Sequence, residues 1–307
     1  MTSTLQQTHH GVPATGERGL VRFVRDHPLG AFLAWFFTIG QAIVFIPLVA
    51  PWMLGAELPT EPFIIASSFI GLLLPALVIT RIADGPEALR SLVRRALRVR
   101  VPAGWYDVAL TVPLTTTAIV FATAGTPASL TGAGLASALV IGFLVQLVVV
   151  FVTVNWLEEI AWMGFVQARL QQGHGALPAA VAAGALFGMG HISLAFEDGP
   201  AAAVAFMVIL IIVSIGFRAL QGWLYNHTGR SLFLVGVLHA GANAVNSGSV
   251  LGDGVLGRLY ADPPSGLVFP LLGVLGFVVL AATRGRLGNG TGRDTRTTPA
   301  MATGRSR

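Results

Sequence analysis

Glu158 and Glu159 stand side by side in an otherwise apolar run, and His191, His239 and Asn243 stand in two later apolar runs. Ionisable groups inside membrane-length segments are costly and usually mark function. A carboxylate, two imidazoles and an amide are sufficient to activate water. Glu158, aided by His191, would take a proton from water, while His239 and Asn243 would donate to a developing tetrahedral oxyanion. Alternatively, Glu158, His191 and His239 would hold Zn²⁺ as a two-His-one-carboxylate set, which lowers the pKa of bound water. The chain has no Cys, which excludes thiol nucleophiles, disulfides and Cys-bound metals. No Ser or Lys offers an evident nucleophile–base pairing. Either route is a hydrolysis, and a peptide bond is the expected target inside a membrane.

Spacing supports one shared site. His239 and Asn243 are i and i+4 on a helix and share a face, as do Phe187 and His191. Glu158 and Glu159 diverge by about 100°, so one faces the site and the other supports it. Depth agrees, at about 1.5 Å of rise per residue. Measured from the end marked by Arg169, Glu158 lies about 15 Å in; His239 lies about 12 Å and His191 about 20 Å into their segments. Asn155 and Asn246 would either line the cavity or join helices, and Trp156 and Trp162 flank the acids.

The elements that must carry these residues follow from composition. Of 307 residues, 54% are hydrophobic and 11% charged, against about 25% charged in a soluble domain. Mean hydropathy is +0.73. Those values exclude a soluble globule, a disordered chain and a nucleic-acid binder, and the continuous apolar runs disfavour a barrel. The expected fold is all-α, a polytopic membrane bundle of about eight helices over 29–283. Its spans are Leu29–Leu54, Phe63–Ile82, Trp105–Ala124, Thr131–Phe165, Leu177–Phe196, Ala201–Leu220, Leu232–Ser247 and Gly266–Thr283. The fourth is too long for one straight crossing.

All 19 basic residues are Arg. With eight spans, every one except Arg258 falls on one side, Arg218 and Arg230 being taken as flanks of the loop after the sixth span. By the positive-inside rule both termini are then cytoplasmic, in a cell membrane. The first span starts too late and is too long for a cleavable signal. Residues Glu87–Arg100 are expected to form an amphipathic surface helix. Residues 1–28 form an N-terminal tail, and the basic tail 284–307 has a composition that predicts disorder.

Three motifs resemble the CPBP (CAAX prenyl endopeptidase and bacteriocin-processing, or Abi) intramembrane proteases. That family's E-E-x-x-x-R, F-x-x-x-H and H-x-x-x-N/B patterns correspond here to Glu158-Glu159-Ile-Ala-Trp-Met163, Phe187-Gly-Met-Gly-His191 and His239-Ala-Gly-Ala-Asn243. The resemblance covers about residues 145–250. It implies a cavity open to the cytoplasmic half of the bilayer, Glu158 and His191 activating water, His239 and Asn243 at the oxyanion, and Glu159 in support. Its implied partners are the lipid bilayer and a membrane-associated peptide or protein substrate, such as a CAAX-type C-terminus or a leader peptide. Zinc and a metal-independent glutamate mechanism both remain open. One departure is Met163 at the motif's Arg. Glu159 therefore either goes without a counter-charge or is reached across helices by a distant Arg, such as Arg169 or Arg218. Met163 also motivates the rival reading of an inert scaffold or immunity factor; a proton-coupled transporter is the other.

Overall fold

A computed structural model describes residues 19–125, 127, 132–195, 200–246, 252–260 and 266–288. The tail residues 1–18 and 289–307, and the span ends expected at Thr131, Phe196 and Ser247, lie outside the described residues, while Gly19–Asp26 of the N-terminal tail is helical. Among the described residues no strand forms. In a hydrocarbon solvent every backbone N–H and C=O must be satisfied within its own segment, which leaves helix as the outcome for continuous apolar runs.

A short helix α1 (Gly19–Asp26) precedes α2 (Pro28–Leu54), α3 (Glu61–Ala83), α4 (Gly85–Ala96), α5 (Gly104–Ala124) and α6 (Gly132–His174). Then come α7 (Ala176–Met189), α8 (Pro200–His227), α9 (Leu232–Val245), the single turn α10 (Val255–Leu259) and α11 (Val268–Ala282). Five of these, α2, α3, α5, α6 and α8, are long and apolar enough to cross a membrane. The other three expected places are taken by the shorter apolar helices α7, α9 and α11. At 14 or 15 residues each is about 21 Å long, below the roughly 30 Å core.

The 43-residue α6 is about 65 Å long, roughly twice the core thickness. It therefore continues past any single crossing, as its length in the sequence implies. π-helical turns interrupt it at Ala138–Val145, Phe151–Asn155 and Trp162–Gln167. Each widened turn re-aims the side chains that follow it, a device common at functional sites. The acidic pair occupies the regular turn Trp156–Ala161 between the last two.

Small residues set the closest helix crossings, as expected where lipid supplies no hydrophobic drive for association. A Cβ at Gly184 or Gly188 of α7 would meet the backbone of Ile215 or Ile211 on α8. On the other side of α8, Gly216 lies against Gly273 and Gly276 of α11. Helix α8 is thus clamped between two partners.

The bundle has two chemically different ends. At one, Arg169 pairs with Asp84, the Ser231 hydroxyl donates to Arg98 O at 2.6 Å, and Asn226 Nδ2 donates to Leu287 O at 2.9 Å. Those contacts gather the Arg-bearing connections on one surface. At the other end Tyr260 reaches Gly125 O and Arg258 packs beside Gly142. Helix α4 ends at Ala96, short of the expected Arg100. It turns Leu92 and Ala96 inward and is pinned by Trp156 Nε1 donating to Ala96 O at 3.1 Å.

One position differs from expectation. Arg218 is no loop flank: α8 continues to His227, and Arg218 is fully buried within it. We expect Gly184→Val to destabilise the bundle by about 1–3 kcal/mol through overpacking against Ile215. A thermal melt in detergent should fall by several degrees, while Gly173→Val, at an open position, should leave it unchanged.

Candidate active site

A cavity of about 510 Å³ opens among α2, α3, α6, α7, α8, α9 and the start of α11. Its wall is mostly apolar and carries Glu158, His191, His239 and Asn243 together. The three segments that hold the motifs do therefore meet at one place. Glu159 is close by but stands behind the wall, with no exposure.

The two acids divide as their 100° separation requires. Glu158 keeps some exposure, 14% of its side chain. Its Oε2 lies 3.8 Å from His239 Nδ1 and accepts a long 3.5 Å hydrogen bond from Asn155 Nδ2. Asn155 sits at the end of a π turn, which places it to accept in turn from Asn243 Nδ2 at 3.1 Å. One buried amide thus orients both a carboxylate and the α9 amide. An amide nitrogen has two N–H groups, so Asn243 keeps a second donor.

Glu159 holds the rest together. Arg218 Nη1 donates to its Oε2 at 2.6 Å and to its Oε1 at 2.9 Å. Gln221 Nε2, one helical turn further along α8, donates to Oε1 at 2.9 Å, and His239 Nδ1 lies 2.8 Å from the same oxygen. The expectation that Glu159 goes without a counter-charge is thereby overturned. Met163 cannot supply one, and Arg218 reaches the carboxylate from the neighbouring helix. Burial without a partner would leave an uncompensated charge costing several kcal/mol, which explains why an Arg is tolerated at this depth.

Both imidazoles have defined roles for one nitrogen. A carbonyl or carboxylate only accepts, so His191 Nδ1 donates to Phe187 O at 2.8 Å and His239 Nδ1 donates to Glu159. Each ring then has Nε2 free of these bonds. Phe187 lies between the groups: its ring centroid is 4.6 Å from that of His191 and 5.8 Å from that of His239, and the Arg218 guanidinium lies 5.0 Å from it. It packs, but it packs against both imidazoles and the guanidinium.

The donors considered for Zn²⁺ share the cavity wall. Among the described residues, no three His, Cys, Asp or Glu side chains are grouped to hold a metal ion. His239 turns Nδ1 to Glu159 and His191 turns Nδ1 to its own helix backbone, which leaves Nε2 of each ring free, as in a metal-bound imidazole as much as in a catalytic one. No step below passes through a metal.

Residues that sequence reasoning passed over are Gln221 and Gln41; Arg218 is the one of the two candidate cations that reaches Glu159. Gln41 Nε2 donates to Gly190 O at 2.9 Å, tying α2 to the turn that carries His191. What the sequence did not show is the depth of Arg218, because the helix continues past Leu220 to His227. We expect Arg218→Met to cost about 3–5 kcal/mol, since it strands a buried carboxylate. Adding Met163→Arg, i+4 from Glu159 on α6, should return part of that loss. Denaturation of the single and double variants in detergent measures both effects, and no recovery would show that only the α8 geometry serves.

Comparisons with known proteins bear on the same segment. No curated protein and no solved structure matches the chain significantly. Residues 140–245, which hold all three motifs, match the family model described as Rce1-like, type II CAAX prenyl endopeptidase, a match consistent with a protein of the CPBP family.

Proposed function

We propose that this chain is an intramembrane endopeptidase that uses Glu158 to activate water against a membrane-associated peptide. One observation carries the reading: a single cavity wall bears a carboxylate, two imidazoles with a free Nε2 each, and an amide with a spare N–H. The match to a protease family over residues 140–245 supports it.

In the proposed reaction, water oxygen bonds to the scissile carbonyl carbon while Glu158 takes one of its protons. The carbonyl electron pair moves onto oxygen, where the second N–H of the Asn243 amide stabilises it. His239, anchored by Glu159, adds its Nε2–H when protonated. The tetrahedral species then collapses, the C–N bond breaks, and the proton held by Glu158 passes to the leaving amine, with His191 Nε2 positioned as a relay. The arrangement asks for no metal. Met163 was the ground for an inert scaffold; Arg218 now occupies the role of the missing Arg, so that ground falls away.

The membrane orientation is part of the proposal. The gathered Arg surface supports cytoplasmic termini and eight crossings, the three short helices crossing with the bundle around them. Arg218 no longer counts toward the tally, but the segregation of the others is unaffected.

Glu158→Gln should abolish cleavage of a peptide substrate while the protein stays inserted. Asn243→Ala should lower kcat by about 10²–10³, the usual effect of losing one oxyanion donor. Rates of purified variants on an internally quenched peptide test both, and near-wild-type Glu158→Gln would reject the assignment. Wild-type activity should also stay within about twofold after dialysis against a strong zinc chelator, because no water-activating metal is removed. Loss restored by added Zn²⁺ would favour the metal route instead.

A further inference from the structure

At its Arg-bearing end the bundle holds a second hollow, of about 200 Å³, lined by Ala168, Gln171 and Gln172 of α6, by Tyr225 near the end of α8 and by Arg230 just after it. We infer that this hollow binds the phosphate of a phospholipid headgroup, with Tyr225, Arg95 and Arg230 as the donors. Tyr225 lies two helical turns beyond Arg218 on α8, or about 10 Å. The hollow is therefore separate from the carboxylates and imidazoles of the cavity, and its ligand is independent of the protease reading.

The hollow is built for an anion rather than merely basic. Tyr225 is 2% exposed, and Arg95 Nη1 of α4 donates to its hydroxyl oxygen at 2.6 Å. The hydroxyl proton has no acceptor among the described residues, and a phenol that already accepts from a guanidinium is a stronger donor in turn. Arg230 N donates to Tyr225 O at 2.9 Å, which holds Arg230 at a φ of +67°. Glycine would take that left-handed backbone more cheaply, yet an Arg stands there and brings a guanidinium to the wall. Arg98 Nη1 packs against the neighbouring Gly229. Asp84 is already paired with Arg169, and neither Arg95 nor Arg230 has a carboxylate partner among the described residues. Guanidinium groups left uncompensated around one hollow match a phosphate group. Gln171 adds an acceptor. Its Nε2 donates to Asn226 Oδ1 at 2.9 Å, while its Oε1 is buried without a partner among the described residues. Donors beside one orphaned acceptor fit a ligand with anionic oxygens and an O–H of its own, as a glycerol headgroup has.

Depth favours a lipid over a soluble phosphate. Trp223, on the same helix as Tyr225, packs on Trp105 with ring centroids 5.2 Å apart, and Trp rings settle where hydrocarbon meets headgroups. Helix α4 presents Val93 and Leu97, 41% and 58% exposed, among its arginines, the pattern of a helix lying in the headgroup layer. Both leaflets carry phosphodiesters, so the site is independent of which way the bundle faces. A headgroup seated there joins α4, α6 and α8.

The full chain, purified in a neutral detergent, would be titrated with phosphatidylglycerol and its bound lipid counted by native mass spectrometry. The wild type should retain one molecule. Arg230→Gly and Tyr225→Phe should each weaken retention by about tenfold, the effect of one lost hydrogen bond to a charged group. Arg230→Gly also relieves the left-handed backbone, so its lipid-free melting temperature should be no lower than that of the wild type. That variant keeps the test decisive even if Tyr225→Phe fails to fold. Arg94→Gln removes the same charge from an exposed position on α4 and should leave the affinity within about twofold. Undiminished retention in Arg230→Gly, or an equal loss in Arg94→Gln, would overturn the inference in favour of a diffuse basic surface. Excess inorganic phosphate should not displace the lipid; displacement would overturn the lipid assignment and mark a site for a soluble phosphate instead.

Discussion

A carboxylate with no exposure, inside a bundle solvated by lipid, must be compensated in full, and Glu159 is the point on which the structure turns. The desolvation of each ion in such a pair costs several kcal/mol, recovered only through close geometry and further hydrogen bonds. Arg218 and Gln221 of α8 and His239 of α9 provide them at 2.6–2.9 Å. Three helices are thereby fixed relative to one another. The glycine crossings on both sides of α8 let its backbone approach closely enough for a short ion pair to form. Two N–H-bearing nitrogens of Arg218 lie buried without a hydrogen-bond partner among the described residues, and the guanidinium is near the Phe187 ring, where a cation–π contact offsets part of that cost.

That anchoring decides the chemistry available next to it. Because Glu159 accepts from His239 Nδ1, the tautomer and tilt of the imidazole are set before any substrate arrives. Preorganisation of this kind removes reorganisation from the reaction step. Glu158, only one residue away, is left out of the pair and faces the cavity, held by Asn155 from the preceding π turn. Adjacent acids with opposite tasks follow from helix geometry combined with a bundle that supplies cations on one side only.

The same constraint shapes the bundle along its length. Locking α6, α8 and α9 together at the ion pair leaves dense side-chain packing around Glu159 and Arg218 and a hollow beside it. Two of the short helices contribute to this asymmetry. They end near the site and bring His191 and the α9 polar residues to the wall at or near their last turns.

Much of this was legible in the sequence. Composition and continuous apolar runs determine an all-helical membrane-type bundle, since no other structure satisfies the backbone of such runs in lipid. The positions of the eight apolar segments, the shared face of His239 and Asn243, and the split between the two acids all follow from local periodicity. The rest was decided by tertiary structure. Met163 removes the only counter-charge that spacing along α6 could supply, and nothing in local sequence says which distant Arg replaces it. That depends on the rotation of α8 against α6, which is set by small residues on α7 and α11 far away in the chain. Which helices line the cavity was likewise beyond periodicity. It depends on how far each helix continues past the site, and those lengths acquire meaning only when the helices are placed side by side.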